Sequence, residues 1–212
     1  MIFLNFKIYQ ETSGENTLKL CQLIKDKRVI PCLQAVDIYR ISQALPELEV
    51  WAQHADAVEY GKFTGYQSPF TLKTAGARGV ILNHAEHQLK LSLIIETVKV
   101  CRRAGLKIML LAPDLKTIYK FNSLKPDFIG FEDPKLISGS VAMIDAHKDL
   151  IKKAVAISQI PLIIGGGIRS SNHVQKSLIL GGKGVLVASE LAKSSNPGAT
   201  LKDLISGLRV DI

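Results

Sequence analysis

The sequence predicts an α/β chain folded as one (β/α)8 barrel. Three observations carry that expectation. Short apolar runs alternate with longer amphipathic ones, and eight such pairs follow one another. The short runs are apolar at successive positions rather than at every second one, as a parallel sheet covered on both faces requires. Eight strand–helix units in 212 residues fit the size of one such barrel. No linker or shift of composition divides residues 1–212, so a single domain is expected.

The elements follow in order. Residues 2–5 read as the first strand. Residues 16–27 read as a helix, with Leu18, Leu20, Cys21, Leu23 and Ile24 on or near one face. The second strand is placed at 29–33 and a second helix at 37–45, capped by Asp37, whose carboxylate can accept from free backbone N–H groups. The third strand is placed at 49–54, before a Gly-rich polar loop over 55–67. Ser68-Pro69 opens a helix, with proline in the first turn, where its missing N–H costs nothing. The fourth strand, 79–83, leads into a long helix at 86–104. Strands at 106–111 and 127–131 flank a short helix at 114–122. A helix at 145–158, a strand at 161–164, a helix at 170–180, a strand at 184–187 and a helix at 199–208 complete the count.

Composition narrows the function classes. The chain is 47% hydrophobic and 22% charged, ordinary for a globular domain. No apolar run reaches the ~18 residues of a membrane span. The start, Met1-Ile2-Phe3-Leu4-Asn5-Phe6-Lys7, lacks the pattern of a signal peptide, so a cytoplasmic location without membrane contact is expected. Cys21, Cys32 and Cys101 are widely spaced and form no C-x-x-C pair. His84 and His87 lack a third ligand, so no metal site is expected. The net charge of +8 suits either nucleic acid or an anionic small molecule. The lysines are scattered, with no basic tail or aromatic–basic block, which favours the small molecule.

In such barrels the active site lies at the C-terminal ends of the strands. The polar endings are Asn5-Phe6-Lys7, Asn83-His84-Ala85-Glu86, Glu132, Gly165-Gly166-Gly167 and Ala188-Ser189. Glu132 closes the apolar run 128–131, and Pro134 stops that strand because it cannot donate to the ladder. Ser138-Gly139-Ser140 follows as a small-residue segment able to act as a lid. A carboxylate beside such a segment suits proton abstraction. The glycines let backbone N–H groups approach an anion, and the loops after strands seven and eight commonly bind phosphate. Lys7 can neutralise a phosphate or an oxyanion. His84 is placed where strand four becomes a helix, whose N-terminus keeps the imidazole neutral. Taken singly, each residue also fits a plain role: a solvated acid, a solvated lysine, a structural histidine, a tight glycine turn.

Four of these endings together resemble one family. Asn5-Phe6-Lys7-Ile8-Tyr9, Asn83-His84-Ala85-Glu86-His87, Phe131-Glu132-Asp133-Pro134 with Ile137-Ser138-Gly139-Ser140, and Gly165-Gly166-Gly167 with Ala188-Ser189 resemble triosephosphate isomerase in its short archaeal form, in the right order over essentially the whole chain. The resemblance implies a TIM barrel without metal or organic cofactor. The implied reaction interconverts D-glyceraldehyde 3-phosphate and dihydroxyacetone phosphate through an enediolate, in glycolysis and gluconeogenesis. Glu132 is the implied base and His84 the implied electrophile. Asn5, Phe6 and Lys7 are implied to lie against substrate, with Lys7 supplying charge and Glu86 sitting near Lys7. Ile137, Ser138, Gly166, Gly167, Ala188 and Ser189 are implied to hold the phosphate. A homodimer or homotetramer is implied, with the loop after strand three reaching a neighbour.

The chain departs from the family pattern in four places. Ala85 stands for the usual serine, Ser138 for the usual glycine, Asp133 for the usual proline, and the segment 61–65 differs from its counterpart. Asp133, if it points inward, raises the pKa of Glu132. Two other readings compete. One is a different phosphate-binding barrel enzyme, such as a ribulose-phosphate epimerase or a synthase acting on a prenyl or indole phosphate; these want a metal cluster or more acids at strand ends. The other is a diverged, weakly active or non-catalytic sugar-phosphate binder, for which Ala85, Asp133 and Ser138 speak.

Overall fold

A computed structural model describes residues 1–134 and 141–209. The elements in chain order are β1 (Ile2–Asn5), a 3-10 turn (Gln10–Thr12), α1 (Glu15–Gln22), β2 (Val29–Leu33), α2 (Ala35–Ala44), β3 (Trp51–Ala52), α3 (Pro69–Thr74), β4 (Gly79–Leu82), α4 (Leu91–Arg103), β5 (Lys107–Ala112), α5 (Leu115–Asn122), β6 (Phe128–Phe131), α6 (Met143–Ala146), α7 (Lys148–Ile157), β7 (Leu162–Ile164), α8 (Ser171–Ile179), β8 (Gly184–Val187), α9 (Ser189–Ala192) and α10 (Pro197–Ser206). The eight strands pair in parallel, each with the next, and β8 returns to β1 to close the barrel. Closure leaves no open sheet edge.

The strands are buried on both faces, and the two faces form separate layers. Ile2, Leu4, Ile108, Leu110, Ile129 and Phe131 point outward to the helices. Phe3, Ile30, Cys32, Trp51, Ile81, Met109, Leu111, Ile163 and Leu186 fill the barrel. Cys21 and Cys101, on α1 and α4, lie in the outer layer, and all three cysteines are free and buried. The interior is sized by exchange between neighbours. Gly79 pairs in register with Trp51, and a Cβ on it would come within 2.3 Å of the indole. Phe3 meets Trp51 edge-on at 5.0 Å and Phe128 at 5.3 Å between ring centres, a geometry favoured by the charge distribution of the rings.

Several local expectations are met by visible chemistry. Ser68 caps α3, accepting from the Phe70 N–H, with Pro69 at the first position. Asp114 caps α5 by accepting from the Thr117 N–H. Others need correction. Asp37 is no cap: α2 starts two residues earlier, and the buried Asp37 carboxylate accepts from the Thr17 hydroxyl at 2.9 Å, tying α2 to α1. The third strand is only two residues long. The helix expected at 145–158 is two helices, α6 and α7, meeting at His147. Most important for the site, α4 begins at Leu91, so residues 83–90 form an irregular turn rather than helix.

Candidate active site

Alternation along the strands delivers the polar groups. On β1, Phe3 faces inward and Asn5, two positions on, does the same at the C-terminal end. On β6, Phe128 packs against the interior layer, and Glu132 comes up on the same side four positions later. One cleft at the C-terminal mouth is lined by Asn5, Lys7, His84, Glu132, Gly166, Gly167, Ala188 and Ser189, together with Arg169. Phe6 lies elsewhere: its side chain is buried in the outer apolar layer. Ile137, Ser138 and the rest of the small-residue segment lie outside the described residues.

Glu132 is 8% exposed. Its Oε1 accepts from the Gly166 N–H at 3.1 Å. Its Oε2 is buried and, among the described residues, takes no hydrogen bond. His84 Nε2 lies 3.4 Å from it. Gly165 makes this placement possible, because a Cβ there would come within 2.2 Å of Glu132 Oε1. Gly166 and Gly167 have φ of +84° and +76°, the left-handed region glycine enters freely. Met143 completes the support: its N–H donates to the Gly166 carbonyl at 2.9 Å and its Sδ accepts from the Asp133 N–H at 3.4 Å. Burial pushes the Glu132 carboxyl up to about 7; the Lys7 cation and the Gly166 N–H oppose the rise without cancelling it. A buried carboxyl raised toward neutrality, with one oxygen lacking a hydrogen bond among the described residues, has the chemistry a general base needs. Asp133 does not cause the rise. Its carboxylate lies 3.9 Å from His147.

His84 is buried, and its Nδ1 accepts from the Glu86 N–H at 3.2 Å. That assigns the proton to Nε2, which faces Glu132. Its pKa is lowered mainly by burial; the Glu86 carboxylate pulls it up and the Lys7 cation pulls it down again. The neutral state therefore arises from desolvation and not from a helix terminus. The turn that carries His84 is held by Asn83, at φ +62°. Asn83 Nδ2 donates to the Leu111 carbonyl and its Oδ1 accepts from the Leu89 N–H, both at 2.9 Å.

Lys7 reaches Glu86 Oε1 with Nζ at 2.5 Å, as expected of Glu86. Its φ of +50° is unusual for a residue with a side chain. Asn5 Oδ1 accepts from the Lys7 N–H at 3.1 Å, and Gln53 Nε2 donates to the Lys7 carbonyl at 2.9 Å, so both sides of the residue are pinned. Gln53 and Met143 escaped the sequence reading. Gln53 follows β3, and the rule for strand C-termini was the signal that pointed to it. Met143 follows no local pattern.

A family sequence model described as triosephosphate isomerase matches residues 1–125. The triosephosphate isomerase of Saccharolobus solfataricus is 35% identical over 216 residues, covering 97% of this chain and 95% of the relative. That of Methanobrevibacter smithii is 31% identical over 219 residues, covering 98% of each. That of Thermoplasma volcanium is 32% identical over 210 residues, covering 96% and 98%. Among solved structures, the triosephosphate isomerase of Bartonella henselae superposes with a TM-score of 0.74 over 98% of this chain and 96% of that one; at 19% identity this likeness shows the fold.

Proposed function

The chain belongs to the triosephosphate isomerase family, and from that premise we propose how its own residues interconvert D-glyceraldehyde 3-phosphate and dihydroxyacetone phosphate. Glu132 takes the proton from the carbon next to the carbonyl and returns it to the neighbouring carbon. His84 donates from Nε2 to the carbonyl oxygen and then serves both oxygens of the enediolate. Lys7, aimed by Asn5, Gln53 and Glu86, offsets the negative charge that develops. The backbone of Gly166, Gly167, Ala188 and Ser189, together with Ile137 and Ser138, receives the phosphate. Isomerisation by proton transfer between two carbons is redox-neutral overall, so the roles need no cofactor.

The observation that carries this reading is Glu132 Oε2: buried, lacking a hydrogen bond among the described residues, and facing the His84 N–H across 3.4 Å. It is tested by a coupled assay with glyceraldehyde 3-phosphate, run with isomerisation in deuterated water. Turnover with solvent deuterium appearing on the carbon chain is expected. Turnover that survives undiminished in Glu132→Gln would remove Glu132 as the base.

The same reading places the enzyme in glycolysis and gluconeogenesis, in the cytoplasm, as a single-domain chain of a homodimer or homotetramer. Three free, buried thiols suit a reducing compartment. No helix among the described residues is long and apolar enough to cross a membrane. Ile8 and Val36, which line a cleft with Lys7 and His84, are 78% and 82% exposed, Tyr39 on α2 is 62% exposed, and Tyr60, Phe63 and Tyr66 stand out from the loop after β3. Exposed apolar residues grouped in this way mark an association surface. Light scattering on the purified protein measures the oligomeric state, and a strict monomer would remove that part of the reading.

A further inference from the structure

Asp133 follows the base, at the position where the family pattern has proline. The exchange supplies something proline lacks, a backbone N–H. That N–H donates to Met143 Sδ at 3.4 Å. The Asp133 carboxylate reaches the other end of the same short helix, 3.9 Å from His147, which directly follows α6. Met143 opens α6, so the helix meets Asp133 at both of its ends.

Met143 is fully buried, and it is tied to the base from a second side. Its N–H donates to the Gly166 carbonyl at 2.9 Å, and the Gly166 N–H donates to Glu132 Oε1 at 3.1 Å. The fit is close. A Cβ on Gly166 would lie 3.4 Å from Met143 Cβ, and one on Gly167 would lie 3.0 Å from Ala142 Cα. Three hydrogen bonds thus close a ring that leaves Glu132 through its own backbone and returns to its carboxyl oxygen. The ring runs from Asp133 to Met143, from Met143 to Gly166, and from Gly166 back to Glu132.

We propose that Met143 is a positioning residue for the reaction: its sulfur, by accepting from the Asp133 N–H, fixes the direction in which Glu132 presents its carboxylate. A proline at this position would restrain the chain through its fixed φ. Here a hydrogen bond supplies the restraint instead. Met143 does not line the cleft, so the effect belongs to kcat rather than KM. A base displaced by a fraction of its own bond length loses rate while substrate contacts elsewhere persist. The inference rests on Glu132 acting as the base; the sulfur contact itself does not.

The experiment compares the parent enzyme with Met143→Leu, Met143→Gln, Asp133→Pro and the double variant Asp133→Pro/Met143→Leu. Leucine keeps the volume and loses the acceptor, whereas glutamine keeps an unbranched chain and an acceptor oxygen. Met143→Leu is expected to lower kcat about three- to tenfold, with KM within about twofold. Met143→Gln is expected to recover part of that loss. In the Asp133→Pro background no N–H remains to be accepted, so Met143→Leu should change kcat less than about twofold there. Carbon-13 NMR follows the titration of the Glu132 carboxyl in the same variants. Lys7, His84 and Glu86, the titratable groups around it, are unchanged, so a lower midpoint in Met143→Leu reports a better hydrated carboxyl. A kcat within about twofold of the parent would overturn the proposal, as would an unmoved midpoint. An equal loss in the Asp133→Pro background would also overturn it, because Met143 would then act by packing alone. Turnover retained in Glu132→Gln would remove the isomerase reading instead, and the midpoint would still decide this one.

Discussion

The inward-facing residues of the barrel change character within a few positions. Near the strand N-termini, Phe3, Trp51 and Phe128 interlock at ring-centre distances of 5.0 to 6.0 Å, and glycine at position 79 gives up its side chain to let the indole in. At the C-terminal mouth the same strands present Asn5 and Glu132, and glycine at position 165 gives up its side chain for a carboxylate. One device serves opposite ends. Below, the vacated space increases apolar contact and stabilises the fold. Above, it buries a charge and raises its free energy, as the displaced Glu132 pKa reports. The lower layer stabilises a barrel whose upper layer is tuned against stability.

Four measurements break or sharpen that contrast, from the largest expected effect to the smallest. Trp51→Ala is expected to lower unfolding free energy by about 3–5 kcal/mol, the range for removing a large buried aromatic. Urea denaturation measures this, and kcat of the folded fraction should stay within about twofold. A matching collapse of kcat would show that the two ends are not separable. Glu132→Asp is expected to do the reverse. Retracting the carboxylate by about 1 Å costs ~10²-fold in kcat with little change in melting temperature.

Glu132→Gln probes the stability cost itself. The folded pKa is raised to about 7, above the ordinary carboxylate value. The contribution of Glu132 to stability is therefore most favourable at pH 4 and is lost as pH rises through 7. At pH 8 the glutamine variant should be the more stable protein, by on the order of 2 kcal/mol, and the advantage should vanish near pH 4. A pH-independent difference would refute the burial account. The smallest effect concerns Ala85, which lines a small cavity reaching Glu132 beside Asn83, Leu111 and Pro113. Ala85→Ser places a hydroxyl where it can donate to the base. It should lower the pH at which kcat/KM rises and change the plateau rate less than tenfold. An unmoved pH profile would mean that the hydroxyl does not reach the carboxylate.

The fold was legible because each strand is a short apolar run, and runs such as Val29 to Leu33 need no tertiary knowledge to be placed. That Lys7, His84 and Glu132 meet in one cleft was legible from strand endings taken together with the family resemblance. The surroundings of His84 were not. Ala85-Glu86-His87-Gln88-Leu89-Lys90 has helix-forming composition. What prevents helix there is Asn83 bonding to Leu111 and Leu89, a tertiary arrangement that no local propensity encodes. Asp133 misled in a similar way. Neighbouring Glu132 in sequence suggested a charge effect, yet adjacent residues at a strand end point to opposite sides, and Asp133 lies near His147 instead. The contributions of Gly165, Gly166 and Met143 to the base come from residues 11 to 34 positions away in sequence, beyond the reach of any window.

The three thiols supply a further handle. Cys32 belongs to the barrel interior, whereas Cys21 and Cys101 are buried residues of α1 and α4 in the outer layer. Burial pushes the thiols of Cys21 and Cys101 up to about 12, and that of Cys32 higher still. In the closed molecule none presents thiolate to a reagent. Alkylation can therefore proceed only through openings, and each cysteine times a different one. Cys21 and Cys101 time the lifting of a single helix, while Cys32 times the parting of the strands. The chain carries its own labels for separating fraying of its shell from rupture of its barrel, without an introduced probe.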